Sequence, residues 1–469
     1  MRPFSGGLGN RDLARAAGWL LILSCVAAVP SHIWADARSR VAQTASAGTT
    51  AQGRRYSLDE LIAYALAHNH EVAAVGLDGE AAVARTEAAR GARLPRLSIE
   101  GGYTLYGEDL RLTAARYNGE PGVFGDNIFT ADLVLRLPLY AGGRLVSEMR
   151  AAELLQASAD QRLSRSKGDL VFNVSSLYYG QLAQMRLIES LGLSAESLAG
   201  QLGRVNALIA GRKAAKVDAL RTEVKLSDLR QRLLKEQNTL AIQRQALLNL
   251  LGGEGPGDGF TLAGTLEPPA AESRSLETLT ESALEKRPDA RAARAELEAQ
   301  GAKVEVARAA YRPTVNLVGA VGNHSMANPT QQPRGLDNSD DNWRVGITFE
   351  VPLFDGRTGA RVGEEKAKLS AQRERLLKLQ LQIRLEVETA YLNLASALER
   401  LAGTRKAIDL ATESLRIEQE KYALARGTAQ DVLDAQSGLL DAQTNQIQAL
   451  ADANTAAAQL ALATGENLP

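Results

Sequence analysis

The sequence predicts a mainly α-helical chain with a small membrane β part, in which two pairs of strands each lead into a long coiled-coil hairpin. Three observations carry this expectation: an internal duplication, two very long stretches without proline, and four short segments in which apolar and polar residues alternate.

The duplication comes first because it organises the rest. Leu58-Asp59-Glu60-Leu61 opens a helical stretch that closes at Leu94-Pro95, and Leu276-Glu277-Thr278-Leu279 opens a second that closes at Arg312-Pro313. Strand-like segments follow both. Leu137-Pro138-Leu139-Tyr140-Ala141-Gly142-Gly143-Arg144 then matches Val351-Pro352-Leu353-Phe354-Asp355-Gly356-Arg357, and each opens a much longer helical stretch, ending near Leu251-Gly252-Gly253 and Ala463-Thr464-Gly465. The first repeat covers residues 56–253, with strands at about 96–106 and 128–139 and long helices over about 144–252. The second covers residues 276–465, with strands at about 314–323 and 342–353 and long helices over about 357–464. Glu254 to Ser275, with its glycines and Pro256, Pro268 and Pro269, reads as the linker between them.

The long stretches are read as helices because residues 139–255 and 353–468 hold none of the chain's 14 prolines, and one proline inside a helix costs about 3 kcal/mol. Within them apolar residues recur every seven positions: Leu226, Leu233, Leu240 and Leu247, then Leu369, Leu376, Ile383, Ala390 and Ala397, with Val387, Leu394 and Leu401 filling a second seam. A sustained repeat of seven implies left-handed supercoiling. Sixty helical residues from Arg144 onward would reach roughly 90 Å, longer than any compact domain.

The four alternating segments predict strands. Trp343, Val345, Ile347, Phe349 and Val351 share one face, and Asn342, Arg344, Gly346, Thr348 and Glu350 the other. Phe129, Ala131, Leu133, Leu135 and Leu137 repeat the pattern in the first half. Leu97, Ile99, Gly101 and Tyr103, and Val315, Leu317, Gly319 and Val321, form the earlier pair. Each segment is about ten residues, the length that a tilted strand needs to cross the hydrocarbon. Nine of the 21 aromatic residues fall within residues 96–140 and 314–354, several at strand ends, as interfacial girdles require. A soluble sheet with one wet face is the alternative. Four strands cannot close a barrel, and an open edge in lipid leaves backbone groups unpaired at several kcal/mol each. Closed barrels begin at eight strands, so three protomers sharing twelve is the expected solution. Loops 107–126 and 326–341 would then face outside.

The N-terminus carries an export pattern. Arg2, Arg11 and Arg15 precede the apolar run Ala16 to Val29, and Ala35 is a cleavage candidate, so residues 1–35 read as a signal peptide and 36–55 as a flexible lead. The apolar run is short for a spanning helix, which takes about 20 residues. Cys25, after Ile22-Leu23-Ser24, leaves lipidation open as a further reading.

Composition excludes several classes. The 54 Lys and Arg nearly cancel the 55 Asp and Glu, which gives no field for nucleic acid. A single cysteine excludes disulfides within the chain, and His32, His68, His70 and His324 form no ligand cluster, so no metal or cofactor is implied. No phosphate loop, Gly-x-Ser-x-Gly elbow or zinc-protease motif marks an enzyme.

Duplicated strand pairs joined to long coiled helices resemble the TolC family of outer-membrane efflux and secretion channels, from about Tyr56 to Gly465. The most specific local match is Tyr422 followed by Asp431-Val432-Leu433-Asp434-Ala435, similar to the family's Tyr-x-x-Gly-x5-Asp-Val-Leu-Asp-Ala signature at the tip of the second helical hairpin. Ala425 stands in the place of the signature glycine, and Gly427 lies two residues later. Gly211-Arg212 followed by Asp218-Ala219-Leu220 is the weaker counterpart in the first half, with Ile209 in the tyrosine's place and Arg221 opposite Asp434.

The resemblance implies a homotrimeric duct with a twelve-stranded barrel in outer-membrane lipid and a twelve-helix tunnel across the periplasm. It implies an entrance and gate at Asp431, Asp434, Asp218 and Tyr422, and tips at Gly211, Arg212, Arg426 and Gly427 that meet a periplasmic adaptor serving an inner-membrane transporter. Such a machine has no catalytic residues. The competing class is a periplasmic coiled-coil adaptor or spacer that forms no channel. An adaptor would carry one hairpin, whereas this chain has two, with duplicated strands.

Overall fold

The computed structural model describes residues 55–466, apart from residues 213, 254, 257–259 and 425. The expected signal peptide, Cys25, His32 and residues 36–54 of the lead lie outside the described residues. In chain order the elements are β1 (Arg55–Tyr56), α1 (Leu58–His68), α2 (His70–Gly91), β2 (Arg96–Arg111), β3 (Phe124–Ala141), α3 (Arg144–Ala210), α4 (Lys216–Leu250) and β4 (Thr261–Leu262). The second half continues with α5 (Leu276–Lys286), α6 (Pro288–Ala309), β5 (Thr314–Ser325), β6 (Ser339–Glu350), α7 (Gly356–Ala423) and α8 (Ala429–Thr464).

α3 and α7 are single helices of 67 and 68 residues, each about 100 Å long. Their partners are segmented. α2 and α4 pack on α3, α6 on both α3 and α7, and α8 on both α3 and α7. Near the sheet the helices therefore run in the order α2–α3–α6–α7, and away from it α4–α3–α8–α7. The heptad positions Ile383, Val387, Ala390, Leu394 and Ala397 of α7 are buried in this packing, as are Leu226 and Leu247 of α4. Among the described residues no helix is long and apolar enough to cross a membrane.

The segmented staves meet at a pair of equivalent junctions. In the first half Asn69, between α1 and α2, accepts hydrogen bonds from the amides of Glu71 and Val72 through Oδ1 and donates through Nδ2 to the Leu250 carbonyl at 2.9 Å. The end of α4 comes so close that Gly252, at φ 93°, leaves no room for a Cβ against the His68 carbonyl. In the second half Arg287 takes the position of Asn69. Its side chain is 1% exposed, and it donates to Asp289 Oδ2 at 2.7 Å, to Glu386 Oε2 of α7 at 2.7 Å and to the Ala463 carbonyl of α8 at 3.3 Å. The same function, holding a helix C-terminus, is filled by a neutral amide in one half and a buried cation in the other.

β2, β3, β5 and β6 form one antiparallel sheet in that order, so β2 and β6 are its free edges. Its limits differ from those the alternation suggests. β2 runs to Arg111 and β3 starts at Phe124, because the ladder resumes at Leu110 opposite Gly125 after an irregularity that follows Leu105. β6 ends at Glu350; Pro352 has no N–H to offer a ladder, and Val351 and Leu353 lie outside the strand.

From Phe260 onward the linker is tied down at several points. β4 pairs with β1, so that Arg55, the last residue of the expected lead, lies opposite Thr261. Phe260 and Leu262 are buried, the Tyr178 hydroxyl donates to the Ala263 carbonyl, and Asn454 Nδ2 of α8 donates to the Glu267 carbonyl at 2.8 Å. Arg274 then binds both Glu272 and Glu466.

Two outcomes follow. Arg287→Ala should destabilise the chain by about 3 kcal/mol, since it strands Asp289 and Glu386 and frees the end of α8; denaturant unfolding measures this. The Arg274 guanidinium holds the Glu272 carboxyl at about 2, well below its ordinary value. A depressed carboxylate stabilises the fold above the unfolded value and loses that contribution as pH falls towards the folded one. The melting-temperature gap between wild type and Glu272→Gln should therefore be full at neutral pH and close between about pH 4.5 and 2.

Candidate functional site

The two helical hairpins turn at residues 211–215 and 424–428, at the end far from the sheet. The first turn is made by Gly211, which ends α3, and by Arg212, which has a left-handed φ of 58°. Arg212 N–H donates to the Ile209 carbonyl at 2.9 Å. Its side chain is exposed.

The second turn passes tightly over the end of α7. The Arg426 amide donates to the Lys421 carbonyl at 2.8 Å, and a Cβ on Gly427 would lie 3.0 Å from Lys421 Cβ. Gly427 is therefore where a close approach asks for glycine. Thr428 then starts α8 with a reciprocal cap. Its hydroxyl accepts from the Asp431 amide at 3.2 Å, while Asp431 Oδ2 accepts from the Thr428 amide at 2.9 Å and from its hydroxyl at 2.7 Å. These bonds from Thr428 keep the Asp431 carboxyl below its ordinary range, as expected for an anion at a helix N-terminus. By contrast α4 starts at Ala215 with no side-chain cap.

Asp434 lies one turn further along, exposed, accepting from Gln430 Nε2 at 2.9 Å. Between the two acids Val432 and Leu433 are buried, and Leu433 joins Leu191, Leu198, Leu226, Leu229 and Leu440 in a core that locks α3, α4 and α8 together near the tips. Both acids thus project away from the packed seam of α8.

Tyr422 and Asp218 are brought together across the hairpins. Burial pushes the Tyr422 phenol up, and the Asp218 charge adds to it. The Tyr422 Oη is buried with no hydrogen-bond partner among the described residues. Asp218 N–H donates to the Ala215 carbonyl, and its own carbonyl accepts from Thr222 Oγ1. Ala425 lies outside the described residues. Thr428 and Gln430 were missed in the sequence, although Thr428-x-x-Asp431 before an apolar pair has the spacing of a capping box.

At the other end, the sheet segregates its residues, charged on one face and apolar on the other. On one face Val134 is 2% exposed and Ala320 is buried, beside Asp132, His324, Arg344, Glu100 and Arg136. On the other face Ile99 is 71% and Trp343 75% exposed, with Leu97, Tyr103, Val321, Val345, Ile347 and Phe349 also bare. Glu100 and Arg136 pair through Oε2 and Nη2 at 3.0 Å, and Asp132 lies 3.4 Å from His324 Nε2 and 3.6 Å from Arg344 Nη2. On the charged face Asp132 and His324 are largely sheltered, while Glu100, Arg136 and Arg344 are exposed.

A four-stranded sheet with a bare apolar face, carried on four helical staves of which two run unbroken for about 100 Å, defines the class: a channel-type outer-membrane protein with a periplasmic extension. The chain belongs to the outer membrane efflux protein family, whose model matches residues 61–253 and 279–466. It is 27% identical over 355 residues to protein CyaE of Bordetella pertussis, covering 74% of this chain and 72% of that one. It is 25% identical over 393 residues to outer membrane protein OprJ of Pseudomonas aeruginosa, covering 82% and 78%. The fold is similar to that of the outer membrane protein VceC of Vibrio cholerae, with a TM-score of 0.71 at 20% identity, over 87% of this chain and 96% of that one. The family is one of outer-membrane channels rather than of enzymes or periplasmic adaptors.

The cap geometry predicts that Thr428→Val speeds amide exchange at the start of α8 several-fold while leaving the start of α4, which has no such cap, unchanged. Hydrogen exchange read by mass spectrometry over residues 428–440 and 216–228 checks it.

Proposed function

We propose that three copies of this chain form one export duct, with twelve strands in the outer membrane and the helices forming a tunnel through the periplasm. The observation that carries this reading is the bare apolar face of the sheet. Exposed Ile99, Trp343, Val345, Ile347 and Phe349 would be a severe aggregation hazard in water and are what a lipid-facing barrel wall requires. The free edges of β2 and β6 run antiparallel to each other, so joining β6 of one copy to β2 of the next preserves the alternation around a closed ring. Residues 1–35 then act as the export signal, and the repeats at 56–253 and 276–465 each supply two strands and one hairpin to the wall.

The helix tips are the entrance. Asp431 and Asp434, repeated three times, would place two carboxylate rings where the tunnel narrows, and Asp218 and Tyr422 would join neighbouring hairpins in the closed form. The solvent-facing placement of both acids and the anionic state of Asp431 support this. The tips at Gly211, Arg212, Arg426 and Gly427 are the surface offered to a periplasmic adaptor, which couples the duct to an inner-membrane transporter. Cargo is small molecules or proteins, chosen by that transporter.

Native mass spectrometry of the detergent-solubilised protein should give a trimer; a monomer would end this reading. In planar bilayers the trimer should favour cations and be blocked by multivalent cations from the tip side. Asp431→Ala/Asp434→Ala should abolish both effects, and their persistence would move the gate elsewhere.

A further inference from the structure

α4 and α8 hold equivalent places in the two repeats, yet their charge differs in sign. α8 carries four aspartates and no lysine or arginine, whereas α4 carries seven lysines and arginines against four acids. The difference is focused on one groove between them. Lys225, Asp228 and Arg232 of α4 and Asp441 of α8 line a cavity of about 210 Å³. The groove continues towards the tips past Arg221, with Lys225 and Leu433 shared along the way.

The packing tells which side of the wall this groove is on. In the order α4–α3–α8–α7, α4 and α8 are second neighbours that both pack on α3, and they also touch each other, over the core that holds Leu226, Leu229, Leu433 and Leu440. Second neighbours in a wall of staves meet on its concave side, which in the proposed duct is the bore. Gln443, two residues beyond Asp441 and so about 160° away around α8, lines a separate cavity with Leu266 of the linker. The linker therefore lies on the other side.

Among the described residues none of Arg221, Lys225, Asp228, Arg232 and Asp441 makes an ion pair or a side-chain hydrogen bond. Arg416 of α7, by contrast, pairs with both Glu413 and Glu420 on its own helix. Asp228 lies between Lys225 and Arg232 and offsets one of three cations, so the α4 bank stays positive. The α8 bank is negative through Asp441. Between the banks lies an apolar floor of Leu198, Leu229, Leu433 and Leu440, and the opposite charges stand further apart than an ion pair reaches. A simple anion placed there would face Asp441, and a simple cation would face Lys225 and Arg232. A zwitterion with an apolar body satisfies both banks and covers the floor.

We propose that this groove binds zwitterions with an apolar body as they pass along the bore, the anionic end on Lys225 and Arg232 and the cationic end on Asp441. The proposal rests on the duct reading above and deepens it. It places recognition of one cargo class inside the duct, beyond the acids at Asp431 and Asp434 and in addition to the choice made by the transporter.

Three probes with one indole body separate the charges: tryptophan is the zwitterion, tryptamine the cation and indole-3-propionate the anion. With the full chain in planar bilayers at neutral pH, tryptophan should half-block the single-channel current at a concentration several-fold below either of the others. Lys225→Gln/Arg232→Gln and, separately, Asp441→Asn should each raise that concentration about fivefold, the scale of one exposed ion pair. All three side chains are exposed, so circular dichroism and the native mass should match wild type. Arg230→Gln, on α4 but outside the groove, should leave the block as it is and so excludes a general effect of charge. Tryptophan that blocks no better than the other two probes, a block that survives both groove variants, or one that Arg230→Gln weakens equally would overturn the groove. A wild type that forms no channel would instead overturn the duct reading.

Discussion

Unpaired backbone groups cannot be left in hydrocarbon, and the rest of this architecture depends on that constraint. β2 and β6 each present a row of amides and carbonyls with no strand partner among the described residues. In water a solvent molecule would satisfy them; in lipid only another strand does. The same apolar wall that suits lipid, with Ile99 and Trp343 turned outward, bars the chain from remaining alone in water. In the proposed duct, association would thus be a condition of the fold.

The duplication builds two hairpins with one plan, but the copies have diverged where it matters chemically. The second tip opens α8 with the Thr428–Asp431 cap, while the first opens α4 at Ala215 with none. At the junctions Asn69 does with one amide what Arg287 does with a guanidinium, two carboxylates and a carbonyl. A buried cation fixes partner geometry more stringently than an amide, since each unmatched charge is costly. The second half is thereby clamped at its junction and capped at its tip.

Much of the fold was legible because it is periodic. Heptads such as Ile383, Ala390 and Ala397, and alternations such as Trp343, Val345 and Ile347, report which face is covered without any long-range information. The strand ends were less legible: the irregularity after Leu105 breaks the period of two, and Pro352 sits in an alternating run that cannot continue as a ladder. Arg287 was invisible, because a single arginine before a proline gives no sign that Glu386 and Ala463 will converge on it from far along the chain. At the tips the family signature drew attention to Asp431 and Asp434, yet Thr428, which governs the first of them, carries no charge and escaped notice. The linker's glycines and prolines marked a connection without showing its packing, which Phe260, Leu262 and Asn454 provide.

Two of the four staves, α3 and α7, run unbroken from sheet to tip, while the other two are stacked from separate segments. Mechanically these are different materials. A continuous helix carries bending and torsion along its whole length, but a stack transmits compression across its joint and yields in tension and twist. A pull at the tips would therefore reach the sheet along α3 and α7 and be absorbed at the joints of the segmented staves. Stiff and compliant staves alternate across the protomer, so in the proposed duct the lower tunnel would be free to change bore while the sheet keeps its register.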